Sequence, residues 1–123
     1  LVFMHHPPFI TGMGAMDEPF EGADLLRDVL SRAPWARLCC GHMHRPIFTA
    51  WAQGLALTVP SISMQIDLDL SPQGGDTFRM EMPGYMLHHW DGSHLNSHVC
   101  QIPADVDFSG PHPFADSVNP VED

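Results

Sequence analysis

Two short apolar runs in this chain each end on a cluster of histidines, and one amphipathic segment separates them. Leu1-Val2-Phe3 leads into Met4-His5-His6-Pro7-Pro8, and Leu38-Cys39-Cys40 leads into Gly41-His42-Met43-His44-Arg45-Pro46. Between them Ala23, Leu26, Leu30 and Ala33 recur at helical spacing, Leu25 and Val29 widen the stripe, and Pro34 ends it. The order predicts strand, helix, strand. If the two strands are parallel neighbours, a right-handed crossover carries both histidine clusters to the carboxyl-terminal edge of one sheet, where open α/β sheets bind their ligands.

The rest of the chain is poorer in helix signals. Residues 7–19 form a long Pro/Gly/Met loop, and Asp17 and Glu18 ahead of Pro19 mark a helix start with acidic residues at the positive end. Ile47 to Trp51 and Leu55 to Val59 flank Gln53-Gly54, a hairpin signal. Ile62, Met64, Ile66, Leu68 and Leu70 alternate with polar residues and predict one long strand; Phe78, Met80 and Met82 predict a shorter one. Tyr85 to Trp90 and Leu95 to Ile102 flank Asp91-Gly92, a second hairpin. The fold class is α/β, one βαβ unit followed by mostly antiparallel strands, over residues 1–102, with an acidic Pro-rich tail over 103–123. A sheet with a single helix leaves apolar surface uncovered, and the chain opens on a strand rather than on Met. The expectation is a missing N-terminal half, or homo-oligomerisation.

Charge narrows the partners. Fifteen Asp and Glu stand against five basic residues, all arginine, for a net charge of −10. That balance argues against a nucleic acid polymer or an anionic membrane, which need clustered cations, but not against a phosphorylated small substrate if a bound cation reverses the local field. No apolar run approaches the roughly 18 residues of a membrane span. Three cysteines are too few for a disulfide framework, and Cys39 and Cys40 are expected as buried free thiols in a cytoplasmic protein.

His5, His42 and His44 are the candidate metal ligands, because imidazole suits zinc, iron, manganese or nickel and Gly41 lets the backbone turn before the pair. Three imidazoles neutralise no charge, so they are an incomplete site for two metals. Asp67 and Asp69 lie on the polar side of their strand and are expected in solvent. Arg45 is balanced between a phosphate contact and a surface charge; Met13 and Met16 are core filler or the lining of an apolar pocket. His88 and His89 face opposite sides of a strand, and His94, His98 and His112 are surface histidines. The competing class is a non-catalytic, His-rich metal-binding or interaction module. A cupin origin for Gly-His-x-His is discounted, since no Glu follows at the expected spacing.

Phe3-Met4-His5-His6-Pro7-Pro8 and Cys40-Gly41-His42-Met43-His44, followed by Val59-Pro60-Ser61, resemble the last two signature blocks of the calcineurin-like metallophosphoesterases, closest to the class III cyclic nucleotide phosphodiesterase and glycerophosphodiesterase branch. The resemblance implies the C-terminal half of an α/β sandwich around a binuclear centre of divalent or trivalent ions (iron, manganese or zinc). It implies that His5 and His42 ligate one metal and His44 the other, that the loop 9–19 and the segment 61–65 border a small phosphodiester substrate, and that the enzyme is a phosphodiesterase, with a cyclic nucleotide as one candidate substrate. It carries no ligand role for His6. The family's Asp-x-His, Gly-Asp-x-x-Asp and Gly-Asn-His blocks do not occur in these residues, so no catalytic residue is assigned. By itself the chain is expected to hold at most one metal, weakly, and to be inactive.

Overall fold

The computed structural model describes residues 1–18, 20–72 and 77–102. The predicted tail over 103–123, with His112, and the helix start at Pro19 lie outside the described residues.

Strand β1 (Val2–Met4), helix α1 (Ala23–Leu30) and strand β2 (Arg37–Cys40) form the expected βαβ unit. β1 and β2 are parallel, with Phe3 opposite Cys39 and Met4 opposite Cys40, so the peptide leaves both strands at the same edge. β4 (Gly54–Thr58) pairs parallel to the other side of β2, and β3 (Ile47–Trp51) closes the sheet antiparallel to β4. The strand order is β1-β2-β4-β3. The turn between β3 and β4 sits one residue earlier than expected: Ala52 and Gln53 take φ of 51° and 63°, as a tight primed hairpin turn requires. Gly54 instead begins β4, where an added Cβ would lie 3.0 Å from the Ala36 carbonyl oxygen.

The core lies on one face of this sheet. Leu38, Cys40, Trp51 and Ala56 are buried together, and Leu26 and Leu30 of α1 pack on them with Val2 and Met4. Leu25 and Val29 remain exposed, so the apolar stripe used is narrower than its pattern. The helix also begins later than its acidic prelude suggests, at Ala23 after Gly22 with φ of 90°. The Asp17 carboxylate is committed elsewhere: it accepts from Thr11 N, Thr11 Oγ1 and Gly12 N, each at 2.8 Å, and closes the 11–17 loop. An apolar run such as Leu1–Met4 suits a strand buried on both faces, but β1 is an edge strand among the described residues and Phe3 is 68% exposed.

The strand predicted over Ile62 to Leu70 is the main departure. Only β5 (Gln65–Ile66) forms there, pairing with β6 (Phe78–Arg79). Gln65 is one cause. Its buried side chain folds back over its own segment, with Oε1 accepting from Ser61 N at 3.1 Å and Nε2 donating to Ser61 O at 2.8 Å. That side-chain turn replaces the ladder before β5 and leaves Ile62 exposed; after β5 the chain turns again, Asp69 N donating to Asp67 O at 3.0 Å, and Leu68 and Leu70 are exposed. The last pair, β7 (Gly84–Trp90) and β8 (Leu95–Gln101), is the expected hairpin, paired from Gly84 with Gln101 to Trp90 with Leu95. Its turn is held by the Asp91 carboxylate, which accepts from Ser93 N at 2.8 Å and His94 N at 2.7 Å. The hairpin meets the sheet through Cys39 on the face opposite α1, and through Gly84 N donating to Ser61 O at 2.9 Å. Among the described residues no helix is long and apolar enough to cross a membrane.

Candidate metal centre

The two histidine loops lie side by side because β1 and β2 end in register. Gly41 N donates to Met4 O at 3.2 Å, stitching the loops together just beyond the strands. Gly41 also makes room for a ring: a Cβ there would stand 3.2 Å from His5 Nδ1. Beyond it Met43 is fully buried with Met13 and Ile66, an apolar plug that pins the loop. His42 and His44 flank this plug with φ of 66° and 48°, left-handed backbone that a non-glycine residue adopts only where its surroundings enforce it. Met13 is therefore core filler, and Met16 packs against the same group.

The expected pair His5 and His42 comes together, and His6 joins them. One ring nitrogen from each of the three lies within 4.8 Å of the others. Their ring centroids are 4.8 Å apart for His5–His6, 5.6 Å for His5–His42 and 4.2 Å for His6–His42. Two of the rings have fixed tautomers. His42 Nε2 lies 3.0 Å from the Met16 carbonyl oxygen, which only accepts, so Nε2 carries a proton and Nδ1 keeps its lone pair. His6 Nδ1 lies 3.2 Å from Glu18 Oε2, which leaves Nε2 as its donor atom. Such outer partners orient metal-binding imidazoles.

The donor set fits a transition-metal ion. At metal–nitrogen bonds of about 2.0–2.1 Å, small side-chain rotations would bring the three nitrogens onto one centre. His44 stands outside this trio, and its Nδ1 is buried without a hydrogen-bond partner. An orphan of that kind costs about 1–3 kcal/mol, which a ligand to Nδ1 would recover.

Other candidates are taken up by structure. Arg45 donates through Nε to Ile66 O at 2.9 Å and pairs with both Glu81 oxygens at 2.9 and 2.8 Å, so it ties β5 to the 81 region. Asp67 is ion-paired with Arg79, whose hydrogen bond holds the carboxyl below the usual range. His94 is largely exposed and bonded to Asp91 and Ser93 in the hairpin turn. His88 and His89 do face opposite sides; His89 is exposed while His88 is half-buried against Cys39 and Phe3. Two participants escaped the sequence reading. His6 was signalled only by adjacency to His5, and the contact of His88 with Cys39 joins residues 49 positions apart.

An α/β sheet that gathers imidazoles beyond the carboxyl ends of parallel strands defines a candidate metal-handling α/β protein. No family model matches the chain. It is 37% identical over 118 residues to a protein of Arcobacter nitrofigilis named as a probable glycerophosphodiester phosphodiesterase, covering 93% of this chain and 42% of that one. It is 31% identical over 105 residues to a probable cyclic nucleotide phosphodiesterase of Rhodopseudomonas palustris, covering 83% and 38%. A glycerophosphodiester phosphodiesterase of Enterobacter lignolyticus is 31% identical over 96 residues, covering 74% and 33%. The chain is thus a homologue of these phosphodiesterases over most of its own length. It spans about two fifths of the length of the first of these relatives, 42%.

Proposed function

We propose that this protein is a metal-dependent phosphodiesterase of the calcineurin-like class, acting on a small phosphodiester. In the resembled α/β sandwich, His5 and His42 hold one metal ion and His44 the other. The observation that carries this reading is the convergence of His5 and His42 just beyond two parallel strands in register. The separate placement of His44, with its partnerless Nδ1, supports a second ion.

The metals of such a site polarise phosphoryl oxygens and lower the pKa of a water nucleophile. The residues of this chain do the holding. His42 presents Nδ1 because Met16 O fixes its tautomer, and Gly41 leaves space for the His5 ring. His6, braced by Glu18, supplies a third imidazole at the rim. Three neutral rings leave the charge of a metal ion uncompensated. By the resemblance, a bridging carboxylate and a leaving-group histidine come from the family blocks that these 123 residues do not contain. Activity belongs to the assembly that carries those blocks, and the chain alone is inactive.

The test is hydrolysis of bis(p-nitrophenyl) phosphate by the polypeptide that includes the missing blocks. His42→Ala should abolish both turnover and one equivalent of metal. Unchanged activity and metal content in that variant would overturn the assignment. Metal-dependent turnover by the 123-residue chain alone, lost in His42→Ala, would overturn the claim that the chain is inactive by itself.

A further inference from the structure

On the face of the sheet away from α1, a cavity of about 440 Å³ lies between β2 and the β7–β8 hairpin. Its lining is mostly apolar, but five of the lining residues carry soft donor atoms: Met4, Cys39, Cys40, Met86 and His88. Met4 and Cys40 pack with the core on the α1 side, which leaves Cys39, Met86 and His88. Cys39 Sγ and His88 Nε2 are 3.6 Å apart. Two donors bound to one ion at about 2.3 Å for sulfur and about 2.0 Å for nitrogen stand near that separation at tetrahedral angles. Met86 lies two residues before His88 on β7, so both project from the same face of the strand. That face is the inward one, Gly84, Met86 and His88 being more buried than the residues between them.

We propose that Cys39, His88 and Met86 form a binding site for a soft monovalent cation of the copper(I) class, separate from the histidine centre. Thiolate and thioether donors select such ions, and the charge arithmetic agrees. Binding exchanges the thiol proton for the ion: the S–H bond breaks, an S–metal bond forms, and the proton leaves to water. A monovalent ion then leaves the pair neutral in an apolar cavity. A divalent ion would leave one net positive charge close to the Arg37 guanidinium, which already disfavours a charged His88. The outer support is built as well. His88 Nδ1 is 2.6 Å from Ser97 Oγ, which also accepts from Arg37, so the imidazole is oriented with Nε2 toward the thiol. In the metal-free state the same 3.6 Å is a thiol–imidazole hydrogen bond.

Silver(I) serves as a redox-inert probe. The protein is titrated with silver nitrate in excess imidazole, which competes for the histidine cluster, and read by native mass spectrometry and thiolate-to-metal ultraviolet absorption. One tightly held ion is expected, retained in Cys100→Ser and lost in Cys39→Ser. Met86→Leu and His88→Gln, which keep volume or hydrogen bonding, should each weaken it about tenfold or more. Retention of the ion in Cys39→Ser would overturn the proposal. So would unchanged affinity in both Met86→Leu and His88→Gln, which would reduce the site to a bare thiol.

Discussion

Cys39 and Cys40 are neighbours in β2 and almost equally hidden, at 2% and 1% exposure, yet they sit in different chemistry. Cys40 faces α1 among Leu38, Trp51 and Ala56, and burial, with the nearby Cys39 second, pushes its thiol up to about 12. Cys39 faces the hairpin and His88; burial raises its thiol too, but the Arg37 guanidinium opposes the shift. One face of the sheet is a hydrocarbon core closed by local contacts. The other is a mostly apolar joint threaded by one polar contact chain, Cys39–His88–Ser97–Arg37, between residues far apart in the sequence. A strand's alternation says that both sides are covered, but not by what.

The largest effect should separate the two thiols. Cys40→Ser puts a hydroxyl where only apolar groups surround it, and should cost about 2 kcal/mol in urea unfolding. Cys39→Ser should cost under about 1 kcal/mol, because His88 Nε2 offers the new hydroxyl a partner. Equal losses would break the contrast between the faces. Next comes Gly41→Ala. Its Cβ would press on His5 Nδ1 from 3.2 Å, so zinc affinity measured calorimetrically should fall about tenfold, equivalent to about 1.4 kcal/mol. Unaltered affinity would mean that His5 need not hold its place. Asp17→Ala removes the acceptor of three hydrogen bonds and should cost about 1 kcal/mol. Faster protease cleavage within 11–18 is the accompanying readout.

The smallest expected effect is a pH slope. His88 titrates below its ordinary 6.5 because burial, then Arg37, disfavours its charged form. As pH falls through 6.5 the unfolded chain takes up that proton first. The contribution is therefore complete above about 6.5 and is lost as pH drops toward the folded value. His88→Gln should flatten the difference in urea midpoint between pH 7.5 and 5.5. An unchanged slope would assign the acid sensitivity to other histidines.

The local parts of the molecule were legible in the sequence. The βαβ unit, both hairpins and the pairing of His5 with His42 follow from apolar runs, helical spacing and turn residues a few positions apart. The long strand over Ile62 to Leu70 was not, because alternation ignores a buried Gln65 whose amide bonds to the Ser61 backbone and a turn at Asp67–Asp69. Asp17 misled in the same way, spending its carboxylate on Thr11 and Gly12 rather than on a helix. At the site, the motif resemblance assigned no ligand role to His6. Past the end of β1 the chain no longer alternates, and the rings of His5 and His6 both reach His42.

Metal stoichiometry tests the central claim most directly. The protein, freed of metal and titrated with zinc or manganese, is followed by native mass spectrometry beside His5→Ala and His42→Ala. The expected result is one weakly held ion that disappears in both variants, with His44→Ala leaving it in place. Equal uptake by the unaltered protein and His42→Ala would contradict a metal site at the ends of β1 and β2, and the phosphodiesterase reading with it.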